Sequence, residues 1–243
     1  MFTKVLIANR GEIAVRVIRT LRRMGLASVA VYSDADRFSV APRLADEAVR
    51  IGPAPAAESY LDVNAVIRAC EATGAQAVHP GYGFLSESIG FAERLAAEGI
   101  AFIGPRPEHL SAFGLKHTAR ELAEAAGVPL LPGTDLIASV DEALVEASRV
   151  GYPLMLKSTA GGGGIGMRLC ADETALTAAF ATVQRTATAS FGDARVFLER
   201  FVADARHVEV QVFGDGQGRV IALGERDCSL LRRNQKVVEE TPA

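Results

Sequence analysis

Over residues 1–112, short β-branched runs alternate with longer amphipathic stretches, and this alternation constrains the fold more than any other feature. Lys4 to Ala8 reads as a buried strand, and Glu12 to Met24 as a helix with Ile13, Val17, Ile18 and Leu21 on one face. Ala27 to Tyr32 is a second strand. Leu61 to Ala72 is a helix opened by Asp62, Ala77 to His79 a third strand, and Ser88 to Ala97 a further helix before the strand Ala101 to Gly104. Strands alternating with helices of this length imply a parallel sheet with helices on its faces, so the fold class is α/β.

From Pro107 the pattern changes. Lys116 to Ala126 and Val140 to Val150 read as helices, and Gly151-Tyr152-Pro153 leads into the strand Leu154 to Ser158. A glycine-rich loop, a strand Met167 to Cys170 and a long helix from Asp172 follow. Strands Val196 to Phe201, Arg206 to Phe213 and Val220 to Asp227 come last. Helices followed by antiparallel strands suggest a second, α+β unit beginning near residue 113. The chain stops at Glu239 to Ala243 with no closing element, and it reads as truncated.

Composition excludes several function classes. With 26 Lys and Arg against 29 Asp and Glu the net charge is −3, which gives no electrostatic reason to expect nucleic acid or a membrane surface as partner. There is no window of 18 apolar residues to span a bilayer and no secretory signal pattern. Cys70, Cys170 and Cys228 are odd in number and far apart, so they form neither a disulfide framework nor a metal-ligand spacing. That usage fits the cytoplasm.

The strongest chemical signal is Lys157-Ser158-Thr159-Ala160-Gly161-Gly162-Gly163-Gly164-Ile165-Gly166-Met167. Four consecutive glycines cost backbone entropy and bury nothing. Their use is the close approach of backbone N–H groups to an anion such as a phosphate chain. A Walker A loop places its lysine after the glycines, whereas Lys157 precedes them. A dinucleotide fingerprint needs a helix next, and a strand follows instead. What remains is a glycine hairpin able to close over a triphosphate, with Lys157 adding a point charge. The first strand–helix turn, Ala8 to Glu12, has one glycine only, which argues against NAD.

Other stretches are ambiguous by themselves. His79 to Glu87 follows a buried strand, where ligands sit in an open parallel sheet, but its glycines also suit plain turns. Lys116 at a helix start, His207 in an alternating strand and Glu199 near a strand end each have ordinary structural readings. Glu225 to Lys236, if extended, points Arg232, Asn234 and Lys236 one way, as an anion platform or as solvated surface.

Taken together these residues resemble the biotin carboxylase family of ATP-grasp enzymes. The matching pieces are Ile7 to Ala14, His79 to Glu87, Phe102 to Pro105, Lys157 to Met167, Arg206 to Glu209 and Glu225 to Glu240. The resemblance implies a Rossmann-like N-terminal domain over 1–112, an ATP-grasp helical region with a glycine-flap lid over 113–202, and the start of the ATP-grasp C-terminal subdomain over 203–243. It implies that ATP phosphorylates bicarbonate to carboxyphosphate, which carboxylates biotin. Lys116 and Lys157 would contact the nucleotide phosphates, and Gly163, Gly164 and Met167 would cover the nucleotide. Glu199, Arg200, Phe201 and Val202 would meet the adenine, His207 the ribose end, and Asn234 a further part of the nucleotide. Lys236 would be the catalytic, bicarbonate-binding residue. Mg²⁺ is expected as a cofactor, but its ligands, like the general base, would lie beyond this chain. Biotin would arrive on a carrier domain, with a carboxyltransferase domain as second partner and a homodimer as a further expectation.

Leu115, Ile165 and Asn234 depart from the acyl-CoA carboxylase pattern and look like the urea carboxylase branch, while Leu231 stands where both branches usually have Gln. The leading expectation is therefore the biotin carboxylase part of a urea carboxylase. The alternatives are the corresponding subunit of an acyl-CoA carboxylase and a nucleotide- or partner-binding fragment without chemistry. By itself the 243-residue chain is expected not to carboxylate biotin or urea.

Overall fold

A computed structural model describes residues 2–160, 165–232 and 235–243. The chain forms two compact units, Met1–Gly114 and Leu115–Ala243.

The first unit contains, in order, β1 (Lys4–Ile7), α1 (Gly11–Arg23), β2 (Ala27–Ser33), α2 (Val40–Leu44), β3 (Glu47–Gly52), α3 (Val63–Thr73), β4 (Ala77–His79), α4 (Ile89–Ala97), β5 (Ala101–Phe102) and α5 (Pro107–Gly114). The strands form a parallel sheet in the order β3-β2-β1-β4-β5. Central β1 is buried on both faces. Val5 and Ile7 pack with Ala14, Val17, Ile18 and Leu21 of α1, while Leu6 packs on the other side with Val66, Cys70, Phe91 and Leu95 of α3 and α4. Each fully buried Val, Leu, Ile or Phe side chain contributes about 1.5–3 kcal/mol, so β1 is anchored chiefly by apolar burial. Asp62 caps α3 by accepting from Ala65 N, and Ser88 caps α4 by accepting from Phe91 N. From β1 the strand order runs outward in both directions, so a crevice opens at the carboxyl ends of β1 and β4.

Three elements of this unit go beyond the periodicity reading: α2, β3 and α5. β3 is an edge strand whose Glu47 is exposed and whose Arg50 pairs with Asp34, so its charges mask the apolar pattern of a strand. Helix α2 is five residues long with Pro42 inside, too short to show a helical period.

The second unit contains α6 (Lys116–Ala125), α7 (Val140–Val150), β6 (Leu154–Ser158), β7 (Met167–Cys170), α8 (Glu173–Phe191), β8 (Val196–Arg200), β9 (Val208–Gly214), β10 (Val220–Asp227), β11 (Leu231–Arg232) and β12 (Gln235–Lys236). β6 lies between β7 and β8 in an antiparallel sheet. Its inward residues Leu154 and Leu156 pack with Leu198 and with Leu176, Phe180 and Val183 of α8, and Ala143 and Ala147 of α7 complete the core. Met155 and Lys157 take the opposite face by strand alternation. β9 and β10 form an antiparallel hairpin with a register shift between Ala222 and Glu225. Val210, Val212, Phe213, Ile221 and Leu223 of that hairpin are exposed.

The Glu225 to Lys236 segment is not one extended run. It turns back as the antiparallel pair β11–β12, with Leu231 opposite Lys236 and Arg232 opposite Gln235. Directly opposed residues share a face, so Lys236 lies on the face of Leu231 and not on that of Arg232. The single-faced cation platform considered for an extended chain is therefore not formed.

Candidate functional site

The second unit gathers the charged groups that its sequence singles out. Lys157 on β6 is directly opposite Met167 of β7 and Phe197 of β8, and Glu199 lies diagonally across, two residues further along β8. That diagonal brings the Lys157 ammonium onto Glu199 Oε2 as a contact ion pair. The other carboxylate oxygen, Oε1, accepts from Arg120 Nη1 at 2.7 Å. Glu199 thus carries two cations, one from the sheet and one from α6.

The start of α6 is pinned beside the end of β6. Lys116 N donates to Thr159 O at 3.1 Å, and His117 Nδ1 hydrogen-bonds Thr159 Oγ1. This places the backbone of Lys116 next to the strand that carries Lys157. Ser158 N donates to Gly166 O at 2.8 Å, which extends the antiparallel pairing of β6 with β7 by one step. Gly163 and Gly164 lie outside the described residues, as does Asn234. Arg200 takes the other side of β8, where its Nη1 donates to Val150 O at 3.1 Å, away from Lys157. Phe201 and Val202 follow the strand end, half-buried and exposed, with Phe201 N donating to Pro153 O.

Lys236 stands in a second charged cluster. Its ammonium donates to Glu209 Oε2 at 2.6 Å, and Arg226 bridges Glu209 and Glu239. The hydrogen bond from Lys236 holds the Glu209 carboxyl below its ordinary pKa, and the same bond raises the Lys236 ammonium above its own. Lys236 is therefore a fixed positive charge near neutrality. Cys228 is buried next to these groups, and burial first, then the Glu209 charge, pushes its thiol up. His207 is exposed, with Nε2 at 3.8 Å from Glu209 Oε2, and its backbone N–H donates to Ser229 Oγ.

Glu209, Cys228 and Glu239 bring their ligand atoms within 4.8 Å of one another. They do not fit Mg²⁺. Two cationic side chains already use both carboxylates, and a thiol is a soft donor for a hard cation that prefers oxygen.

In the first unit, a cavity of about 390 Å³ lies against Asn9, Arg10, Ile13, Tyr82 and Phe84 at the carboxyl ends of β1 and β4. Asn9 Nδ2 donates to Pro80 O at 2.7 Å and to Tyr82 O at 2.8 Å, which ties the two loops together. Phe84 stacks on Tyr60 with ring centroids 5.0 Å apart.

Arg120 and the bridging role of Glu209 were not legible as site features. Arg120 does stand one helical turn after Lys116, and Glu209 two residues along a strand from His207, so both share a side with a residue that was singled out.

Comparison with known proteins decides the family. The biotin carboxylase N-terminal domain family matches residues 1–110, and the carbamoyl-phosphate synthase L chain ATP-binding domain family matches residues 116–243. The chain belongs to the biotin carboxylase family. Among curated relatives of this chain, the urea amidolyase of Saccharomyces cerevisiae is 56% identical over 243 residues, covering 100% of this chain and 13% of that protein. The biotin carboxylase of Pseudomonas aeruginosa is 51% identical over 245 aligned residues, covering 100% of this chain and 55% of that protein. A solved biotin carboxylase–β-γ-ATP complex from Campylobacter jejuni superposes with a TM-score of 0.97 at 45% identity, covering 100% of this chain and 55% of that one. This chain therefore spans about an eighth of the urea amidolyase and about half of the biotin carboxylases. Among the described residues, no helix is long and apolar enough to cross a membrane.

Proposed function

We propose that the protein carrying this chain uses ATP and bicarbonate to form carboxyphosphate and passes the carboxyl group by way of biotin to urea. The carrying observation is the 56% identity to urea amidolyase along the whole chain. Leu115, Ile165 and Asn234, which set the chain apart from the acyl-CoA carboxylase pattern, support the same branch. Propionyl-CoA carboxylase of Ruegeria pomeroyi, 52% identical, marks the competing acceptor. Biotin, when bound to its carrier domain, supplies the nitrogen that accepts the carboxyl group.

In this reading 1–112 is the Rossmann-like domain, 113–202 the helical region and flap, and 203–243 the beginning of the C-terminal subdomain. Lys116 and Lys157 hold the nucleotide phosphates, and Gly163 and Gly164 close over them with Met167 alongside. Glu199, Arg200, Phe201 and Val202 meet the adenine, with His207 and Asn234 on the remaining nucleotide. Phosphoryl transfer depends on positioning and on positive charge around an anionic transition state, and the Lys157 ammonium beside the flap is of that kind. Lys236, kept protonated by Glu209, attracts the bicarbonate anion and cannot itself be the base that deprotonates it. No step is assigned to Mg²⁺ through this chain. Partners are the biotin carboxyl carrier and carboxyltransferase domains and a second copy of the chain. The thiols of Cys70, Cys170 and Cys228, all free and buried, support a cytoplasmic location.

The test is bicarbonate-dependent ATP hydrolysis by the full-length protein. Urea is expected to stimulate it more than acetyl-CoA or propionyl-CoA, and stimulation by an acyl-CoA alone would move the protein to the competing branch. Lys157→Ala is expected to lower turnover by about 10²-fold or more, since a pre-placed charge at the transition state contributes a few kcal/mol.

A further inference from the structure

Glu199 accepts two cations at once, and the two differ in freedom. Lys157 meets Oε2 through a flexible ammonium stem. Arg120 meets Oε1 at 2.7 Å and is braced by a second bond, from Nη2 to Leu131 O at 3.0 Å. All three side chains are a fifth or less exposed. Room for the guanidinium depends on Gly133, where a Cβ would lie 2.6 Å from Arg120 Nη2 and 3.0 Å from Leu198 O.

A lysine bound to a carboxylate is spent. For Lys157 to reach a phosphate it must leave Glu199, and a mostly covered carboxylate without a partner is costly. We propose that Arg120 is a positioning residue for nucleotide binding: it keeps Glu199 neutralised, so that Lys157 is released to the phosphates. The planar fork of arginine suits this task, because it serves Glu199 and the Leu131 carbonyl together, whereas lysine offers one point charge. The inference rests on the nucleotide reading of this site and names a residue which that reading leaves out.

The experiment is titration of the full-length protein with ADP by calorimetry. Arg120→Ala is expected to raise Kd roughly tenfold or more, the scale of one charged hydrogen bond. In a Glu199→Gln background, with no carboxylate left to hold Lys157, the same substitution is expected to change Kd less than about twofold, within the additivity of independent sites. Arg120→Lys should recover part of the affinity. An equal loss in both backgrounds would make Arg120 a structural residue only and overturn the proposal, as would an unchanged Kd in Arg120→Ala. Lys157→Ala separates the two readings. If it weakens ADP while Arg120→Ala does not, only the role of Arg120 falls; if it leaves ADP affinity unchanged, the nucleotide reading falls with it.

Discussion

Gly81 and Gly83 flank Tyr82 in the loop after β4, and both adopt left-handed backbone angles, φ +67° and +65°. An alanine at either position carries the same backbone cost of about 1–2 kcal/mol. Their surroundings differ. A Cβ at Gly83 meets nothing within 4 Å, whereas one at Gly81 lies 2.6 Å from Asn9 Nδ2. That nitrogen makes two hydrogen bonds, to Pro80 O and Tyr82 O, and Asn9 is 4% exposed, so water cannot replace them. Displacing it forfeits about 1 kcal/mol for each bond. Gly83→Ala should therefore destabilise the first unit by about 1–2 kcal/mol, and Gly81→Ala by about 3–4 kcal/mol. Urea unfolding of both variants in the full-length protein measures the difference, and hydrogen exchange should show the extra loss of protection centred on residues 8–10 and 80–84. Equal destabilisation by the two alanines would refute the clamp assigned to Asn9.

Two further outcomes follow from buried and half-buried titratable groups. Burial, and then the Arg16 charge, lowers the His79 pKa from its ordinary 6.5, and its Nδ1 accepts from Gly81 N. Below about pH 6.5 the unfolded chain takes up a proton that the folded ring refuses, so stability present at neutral pH is lost as pH falls through that value toward the folded pKa. The urea midpoint should drop over this window, and His79→Gln should flatten the drop; an unchanged pH slope in the variant would refute it. Burial pushes the Cys70 thiol up to about 12, and Cys170 and Cys228 are also buried and raised. Iodoacetamide at about pH 8 should leave all three unlabelled in the native protein, because the thiolate is the reactive form. Stoichiometric labelling of any one of them would contradict its burial.

How much of the protein its sequence determines differs between elements. β1, α1, α3, β4, α4, α7, β6, β7, α8 and β10 follow from local chemistry, because apolar residues run together or alternate in the strands and recur at the helical period in the helices, and Asp62, Ser88 and Asp172 cap the helices they precede. Lys157 beside the glycine run stands out as a candidate anion site for a related reason: its signal is contiguous along the chain. Charged edge strands and very short helices left no such period, so β3 and α2 emerge only where neighbours supply half of the environment. The antiparallel pairing of β11 with β12 likewise overrides the alternation of the segment's own cations and parts Lys236 from Arg232. Most of all, the partners of a charge are set by folding. Arg120 and Glu199 are 79 residues apart, and Lys236 and Glu209 are 27 apart. An ion pair depends on distance in space, falling off within a few ångströms of contact, and only the folded course of the chain brings Arg120 to Glu199 and Lys236 to Glu209.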